Sequence, residues 1–124
     1  MTMVHDASAV LALLYDEPGA DAVEAVPGPR LISAVNLAEV VQRLHRDFET
    51  AAVKDAVAAL GLTVIAADGP LAMRAGLMAR ETVAAGLSLG DRFCLALAQQ
   101  LGLPALTADR VWLAVGPALG VVVQ

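Results

Sequence analysis

The chain has 124 residues, with 58% apolar, 17% charged and only 3% aromatic side chains and a mean hydropathy of +0.68. That length suits one core and a single domain over residues 1–124, and the composition excludes disorder in favour of closely packed helices built on Ala, Val and Leu. The net charge of −5, from 8 basic and 13 acidic residues, argues by itself against a nucleic-acid partner.

Met1 to His5 opens the chain as a buried strand. Ala7 to Tyr15 reads as a helix, closed by the turn Asp16-Glu17-Pro18-Gly19. It is too short to span a bilayer, which takes about 20 residues. No Lys or Arg precedes it, and Asp6 stands where a signal peptide carries its basic region. A soluble, unexported, cytoplasmic protein with no membrane partner is expected. The single cysteine, Cys94, sits in the apolar run FCLALA and reads as a buried thiol.

Ala20 to Val26 forms a second short helix, stopped by Pro27-Gly28-Pro29, and Leu31 to Ser33 a short strand. Val35 to Phe48 is amphipathic, with Leu37, Val40, Val41, Leu44 and Phe48 on one face. Ala51 to Leu60 is a further helix, and Leu62 to Ala66 (LTVIA) a strand buried on both faces. Asp68 and Pro70 start a helix that runs to about Ala85. Leu89 to Leu101 is helical, Pro104 to Thr107 a strand, Arg110 to Val115 a short helix and Val121 to Val123 a last strand. Short apolar strands alternating with helices predict an α/β sandwich around a small parallel sheet. Ligands of such sheets bind beyond the carboxyl ends of the strands.

Acids follow the strands. Asp6 follows the first and Asp109 follows Pro104 to Thr107. Glu39 lies on the helix after Leu31 to Ser33, and Asp91 lies in Ser88-Leu89-Gly90-Asp91. Four converging carboxylates repel one another unless paired, protonated or bound to a cation. An oxygen-only set points to Mg²⁺ or Mn²⁺ rather than zinc. Each acid also has a plainer role. Asp6 and Asp109 suit helix caps, Ser88 and Asp91 a capping box, and Glu39 an ion pair with Arg43 one turn on. These roles explain each acid separately, but not their shared placement.

The stretches Asp6-Ala7-Ser8-Ala9 with LALLYDEPGA, SAVNLAEVVQRL and LSLGDRFCLALAQQLGLPALTADRVW occur in the order found in the PIN-domain family. Within it the chain resembles the VapC-type toxins of toxin–antitoxin pairs. The most specific segment is the last, where GD leads into an apolar helix, Gly-Leu-Pro and a T-x-D turn. The resemblance covers residues 6 to 112 and implies a PIN-like three-layer α/β/α sandwich with a small central parallel sheet. It assigns Asp6, Glu39, Asp91 and Asp109 as catalytic, metal-holding acids, with Ser8, Asn36 and Thr107 in support. It implies a Mg²⁺-dependent endoribonuclease, with Mn²⁺ as substitute, that hydrolyses RNA with a metal-activated water. A VapB-type antitoxin and a second copy of the chain are the implied partners, with the apolar faces around Val35 to Leu60 as candidate surfaces.

The four acids account for most of the net charge, so bound cations would reverse the objection to RNA. Arg92 and Arg110 are placed to hold RNA or to pair with surface acids. His5 stands where an apolar strand residue is usual, and reads as a partly exposed structural histidine. An aspartate-based phosphatase is the competing enzyme, although position 8 is Ser where it needs Asp and the only lysine is Lys54. A response-regulator receiver lacks its acid pair and its late lysine. A PIN fold that serves only as an interaction module is the third reading.

Overall fold

A computed structural model of the chain describes residues 2–124. Four short strands, β1 (Met3–His5), β2 (Arg30–Ser33), β3 (Leu62–Ile65) and β4 (Ala105–Leu106), form one parallel sheet in the order β3-β2-β1-β4. Parallel neighbours require crossovers, and helices supply them. Helices α1 (Ala7–Leu14) and α2 (Ala20–Glu24) join β1 to β2. The link from β2 to β3 is α3 (Ala34–Leu44) with α4 (Thr50–Ala59). Then α5 (Gly69–Leu77), α6 (Ala79–Thr82) and α7 (Leu89–Leu101) lead to β4, and α8 (Trp112–Leu119) follows.

Alternation along the strands divides the core. Val4 and Ala105 face a cluster that includes Leu71, Leu95, Leu97 and Trp112 from α5, α7 and α8. Ile32 packs with Val10, Val40, Leu44 and Val53, while Met3 and Leu106 pack with Ala9 and Val23. Helices therefore cover both faces, giving the expected three layers. The chain leaves β1 toward β2 and returns on its other side as β4, so the direction of winding reverses between β1 and β4. That reversal opens a crevice at the carboxyl ends of these two strands.

Several elements differ from expectation. β3 is an edge strand with Thr63 and Val64 exposed, because it pairs only with β2 and α5 packs on α7 instead of over it. α3 stops at Leu44, four residues early, so Phe48 leaves the apolar face and is exposed, as is Val41. The long helix expected to reach Ala85 breaks at Met78 into α5 and α6. α8 starts later and runs through Pro117 to Leu119, where Gly120 takes the left-handed conformation that ends it (φ 67°). The last strand contracts to a single parallel bridge from Val123 to Ala105. His5 is fully buried, not partly exposed, with Nδ1 3.1 Å from the Met3 carbonyl and, among the described residues, no partner for Nε2. Burial holds its pKa below the ordinary value, so the ring is neutral at pH 7.

Candidate active site

Asp6 follows β1 and stands at the N-cap of α1, but its carboxylate makes no capping bond. It is 3% exposed. Oδ2 accepts hydrogen bonds from Ser8 Oγ at 2.6 Å and Thr107 Oγ1 at 3.0 Å. The two hydroxyls in turn accept from backbone: Ser8 Oγ from the Ala108 N–H and Thr107 Oγ1 from the Asp109 N–H. With those N–H donors in place, each hydroxyl directs its own proton at Asp6. β1, α1 and the turn after β4 are thus tied together around one carboxylate.

Glu39 is reached from the end of β2. Ser33 caps α3 by accepting from the Asn36 N–H, and its hydroxyl donates to Asn36 Oδ1 at 2.6 Å. This orients the buried Asn36 amide, whose Nδ2 donates to Glu39 Oε2 at 3.0 Å and to the Gly90 carbonyl at 2.9 Å. Asn36 thereby holds Glu39 and binds α3 to the start of α7. The absence of a side chain at Gly90 leaves room for the Glu39 carboxylate, which a Cβ would push aside. Glu39 does not pair with Arg43, which forms its ion pair with Asp47 at 2.7 Å and lies over the Tyr15 ring.

Asp91 sits in the first turn of α7. Its Oδ2 accepts from the Ser88 N–H at 2.8 Å while Ser88 Oγ accepts from the Asp91 N–H at 3.2 Å, a complete capping box. The structural role read from S-x-x-D is real, and it occupies one of the two carboxylate oxygens.

One groove of about 340 Å³ is lined by Asp6, Ser8, Glu39 and Asp91 together with Gln42, Arg43 and Arg46. Asp109 is exposed and lines a neighbouring hollow instead, with Thr107 and Arg110. Its Oδ1 accepts from the Val111 N–H at 3.0 Å, and its own N–H reaches Asp6 only through Thr107. The carboxyl end of the sheet therefore brings three acids into one groove and leaves the fourth outside it, its backbone linked to Asp6 through Thr107. A larger hollow of about 450 Å³ near Met73 and Leu77 contains no comparable cluster.

Electrostatics ties the three acids together. Burial, above all, raises the Asp6 pKa from 3.8 to about 6; the Ser8 and Thr107 hydrogen bonds oppose the rise, and the charges of Asp91 and Glu39 add to it. Cys94 lies fully buried on α7, and burial with these same three charges pushes its thiol well above the ordinary range. Arg92 faces away from this chemistry: Nε donates to Thr82 Oγ1 and Nη2 to the Leu87 carbonyl, which fixes the turn before α7. Arg110 is exposed, and Lys54 is exposed on α4, outside the groove.

The donor set suits a hard cation. In Asp6, Glu39 and Asp91 alike, one oxygen is engaged by a supporting donor and the other has none, the arrangement by which outer partners orient metal ligands. Among the described residues, no three or more of His, Cys, Asp and Glu are drawn together as a formed metal site.

A sequence pattern for the PIN domain matches residues 3–116. The chain belongs to the PIN-domain family. No curated protein sequence matches this PIN domain. Among solved structures, it is similar to a toxin–antitoxin complex from Klebsiella pneumoniae, at 23% identity over 86% of each chain with a TM-score of 0.69. It is similar to VapBC2 from Rickettsia felis, bound to a DNA fragment from its promoter, at 13% identity over 100% of this chain and 98% of that one (TM-score 0.77). VapC20 of Mycobacterium tuberculosis, a sarcin-ricin loop cleaving toxin, matches at 19% identity over 92% of this PIN domain and 95% of its own chain (TM-score 0.76). At these identities the likeness is one of fold. Among the described residues no helix is long and apolar enough to cross a membrane.

Gln42, Arg43, Arg46 and Gly90 are site features that the sequence reading missed. The signal for the first two was present: positions 39, 42 and 43 share one face of α3.

Proposed function

We propose that this PIN domain is a Mg²⁺-dependent endoribonuclease and the toxin of a VapBC-type pair. The observation that carries the reading is the convergence of Asp6, Glu39 and Asp91 in one groove, each with a single oxygen engaged by a supporting group. The fold shared with toxin–antitoxin structures supports it.

Asp6, Glu39 and Asp91 would hold Mg²⁺, or Mn²⁺ in its place, through their free oxygens. When bound, such an ion polarises a phosphodiester and lowers the pKa of water toward neutrality. Ser8 and Thr107 fix the Asp6 carboxylate and keep it ionised at neutral pH against the cost of its burial. Asn36 fixes Glu39, and the Ser88 capping box fixes Asp91. Asp109 serves as a fourth acid at the edge of the site, positioned by the turn from Thr107 to Val111. An acidic groove suits a basic side chain from a VapB-type antitoxin as inhibitor, and exposed Val41 and Phe48 suit pairing with a second copy of the chain.

The test is cleavage of structured RNA by the purified protein, with the ends mapped. Cutting in Mg²⁺ that stops on chelation, leaves 5′-phosphate and 3′-hydroxyl ends and is lost in Asp91→Asn is the expected result. Chelator-resistant cutting, or 2′,3′-cyclic phosphate ends, overturns the mechanism. The toxin assignment fails if a folded, abundant and inhibitor-free protein leaves cell growth unaffected.

A further inference from the structure

The groove carries both charges. Asp6, Glu39 and Asp91 line it together with Gln42, Arg43 and Arg46. The last three follow Glu39 in the chain: Gln42 and Arg43, three and four residues on, share its face of α3, and Arg46 lies in the turn after Leu44.

The two arginines are not equivalent. Arg43 is committed: its Nη1 donates to Asp47 at 2.7 Å and to Tyr15 Oη at 3.3 Å, and its guanidinium lies 5.0 Å from the Tyr15 ring centroid. Asp47 cancels its charge. Arg46 is exposed and, among the described residues, has neither an ion pair nor a side-chain hydrogen bond. It is the cation in this groove left free to meet an anion.

We infer that Arg46 binds a phosphate of the RNA strand adjacent to the one at the acids, and so sets how the strand lies along α3. This rests on the nuclease reading. Arg46 lines the same groove as the acids but follows Gln42 and Arg43, beyond the end of α3, so a strand laid along this face with one phosphate at the acids would present a further phosphate to it. Arg43 lines the groove with its charge paired to Asp47, and Gln42 beside it offers a neutral donor. The plain alternative is that Arg46 only complements the carboxyl end of α3.

The salt dependence of binding separates the two. A labelled single-stranded RNA is titrated into the full chain carrying Asp91→Asn, which prevents cutting, and into the same chain with Arg46→Ala or Arg46→Lys added. Loss of one phosphate contact on a single strand lowers the slope of log affinity against log salt by about 0.7. The affinity gap between the Arg46→Ala chain and its parent then narrows about 2.6-fold between roughly 50 and 200 mM KCl, and Arg46→Lys restores the parent slope. Equal slopes for the parent and Arg46→Ala, with RNA bound by both, overturn the inference alone. If the wild-type chain cuts no RNA and the parent binds none, the nuclease reading and the inference fall together.

Discussion

Replacing Asp6 by Asn should stabilise the metal-free protein at neutral pH, against the usual expectation for a buried, hydrogen-bonded side chain. Folding raises the Asp6 pKa from 3.8 to about 6. At 1.36 kcal/mol per pH unit, ionised Asp6 costs the fold about 3 kcal/mol. The folded state binds this proton more tightly than the unfolded chain does. The cost is therefore absent below pH 3.8, grows as the pH rises toward 6 and is complete by about pH 7. Asn is neutral throughout, and its carbonyl can still accept from Ser8 and Thr107. The rise to about 6 is already net of the stronger bonds these hydroxyls make to the charged form. The gain is therefore about 3 kcal/mol. An unfolding entropy of about 0.26 kcal/mol/K for a chain of this length converts it to a Tm rise of about 12 °C. Thermal melts in chelator across pH 4 to 8 provide the assay. Asn should match the wild type near pH 4 and exceed it progressively above pH 5. A variant that is less stable at pH 7, with a gap that does not change with pH, would refute the reasoning.

Gly90→Ala places a methyl group against Glu39 in the first turn of α7, where Ala is the better helix former by about 1 kcal/mol. The Glu39 side chain can swing aside, so melts should show the fold retained while RNA cleavage falls at least tenfold; full activity would contradict the placement of Glu39. Thr107→Val removes one of the two hydroxyls that lower the Asp6 pKa, so the acid limb of the pH–rate profile should move to higher pH, and the loss of metal-free stability relative to the wild type should grow as the pH rises through about 6. Asp109→Asn should reduce cleavage less than Asp91→Asn in parallel rate measurements, because Asp109 lies outside the groove of the other three acids.

The alternation of strands and helices, and the acids just beyond the strands, were legible because burial imposes period and length on each element. What the sequence hid was relational. LTVIA reads as a doubly buried strand, yet its burial depends on whether a helix crosses it, and α5 prefers α7. Phe48 fits the α3 stripe, but the stripe counts only while the helix continues, and it ends at Leu44. Asp91 was both readings at once, a cap through Oδ2 and a groove acid through its other oxygen. Asp6 looked like a cap, but Ser8 and Thr107, 99 positions apart in sequence, claim its carboxylate instead. Arg43 ignored the acid four residues before it for the one four residues after, where Tyr15 completes its site.

The central claim, that Asp6, Glu39 and Asp91 jointly hold a divalent cation, is tested most directly by Mg²⁺-linked stability. An ion at about 100 times its dissociation constant stabilises the protein that binds it by roughly 2.7 kcal/mol, or about 10 °C for this chain. Melts of the wild type, Asp6→Asn, Glu39→Gln and Asp91→Asn with and without Mg²⁺ should show that rise in the wild type and a much smaller one in each variant. An equal Mg²⁺ shift in all four proteins would contradict the account and leave these carboxylates as structural groups.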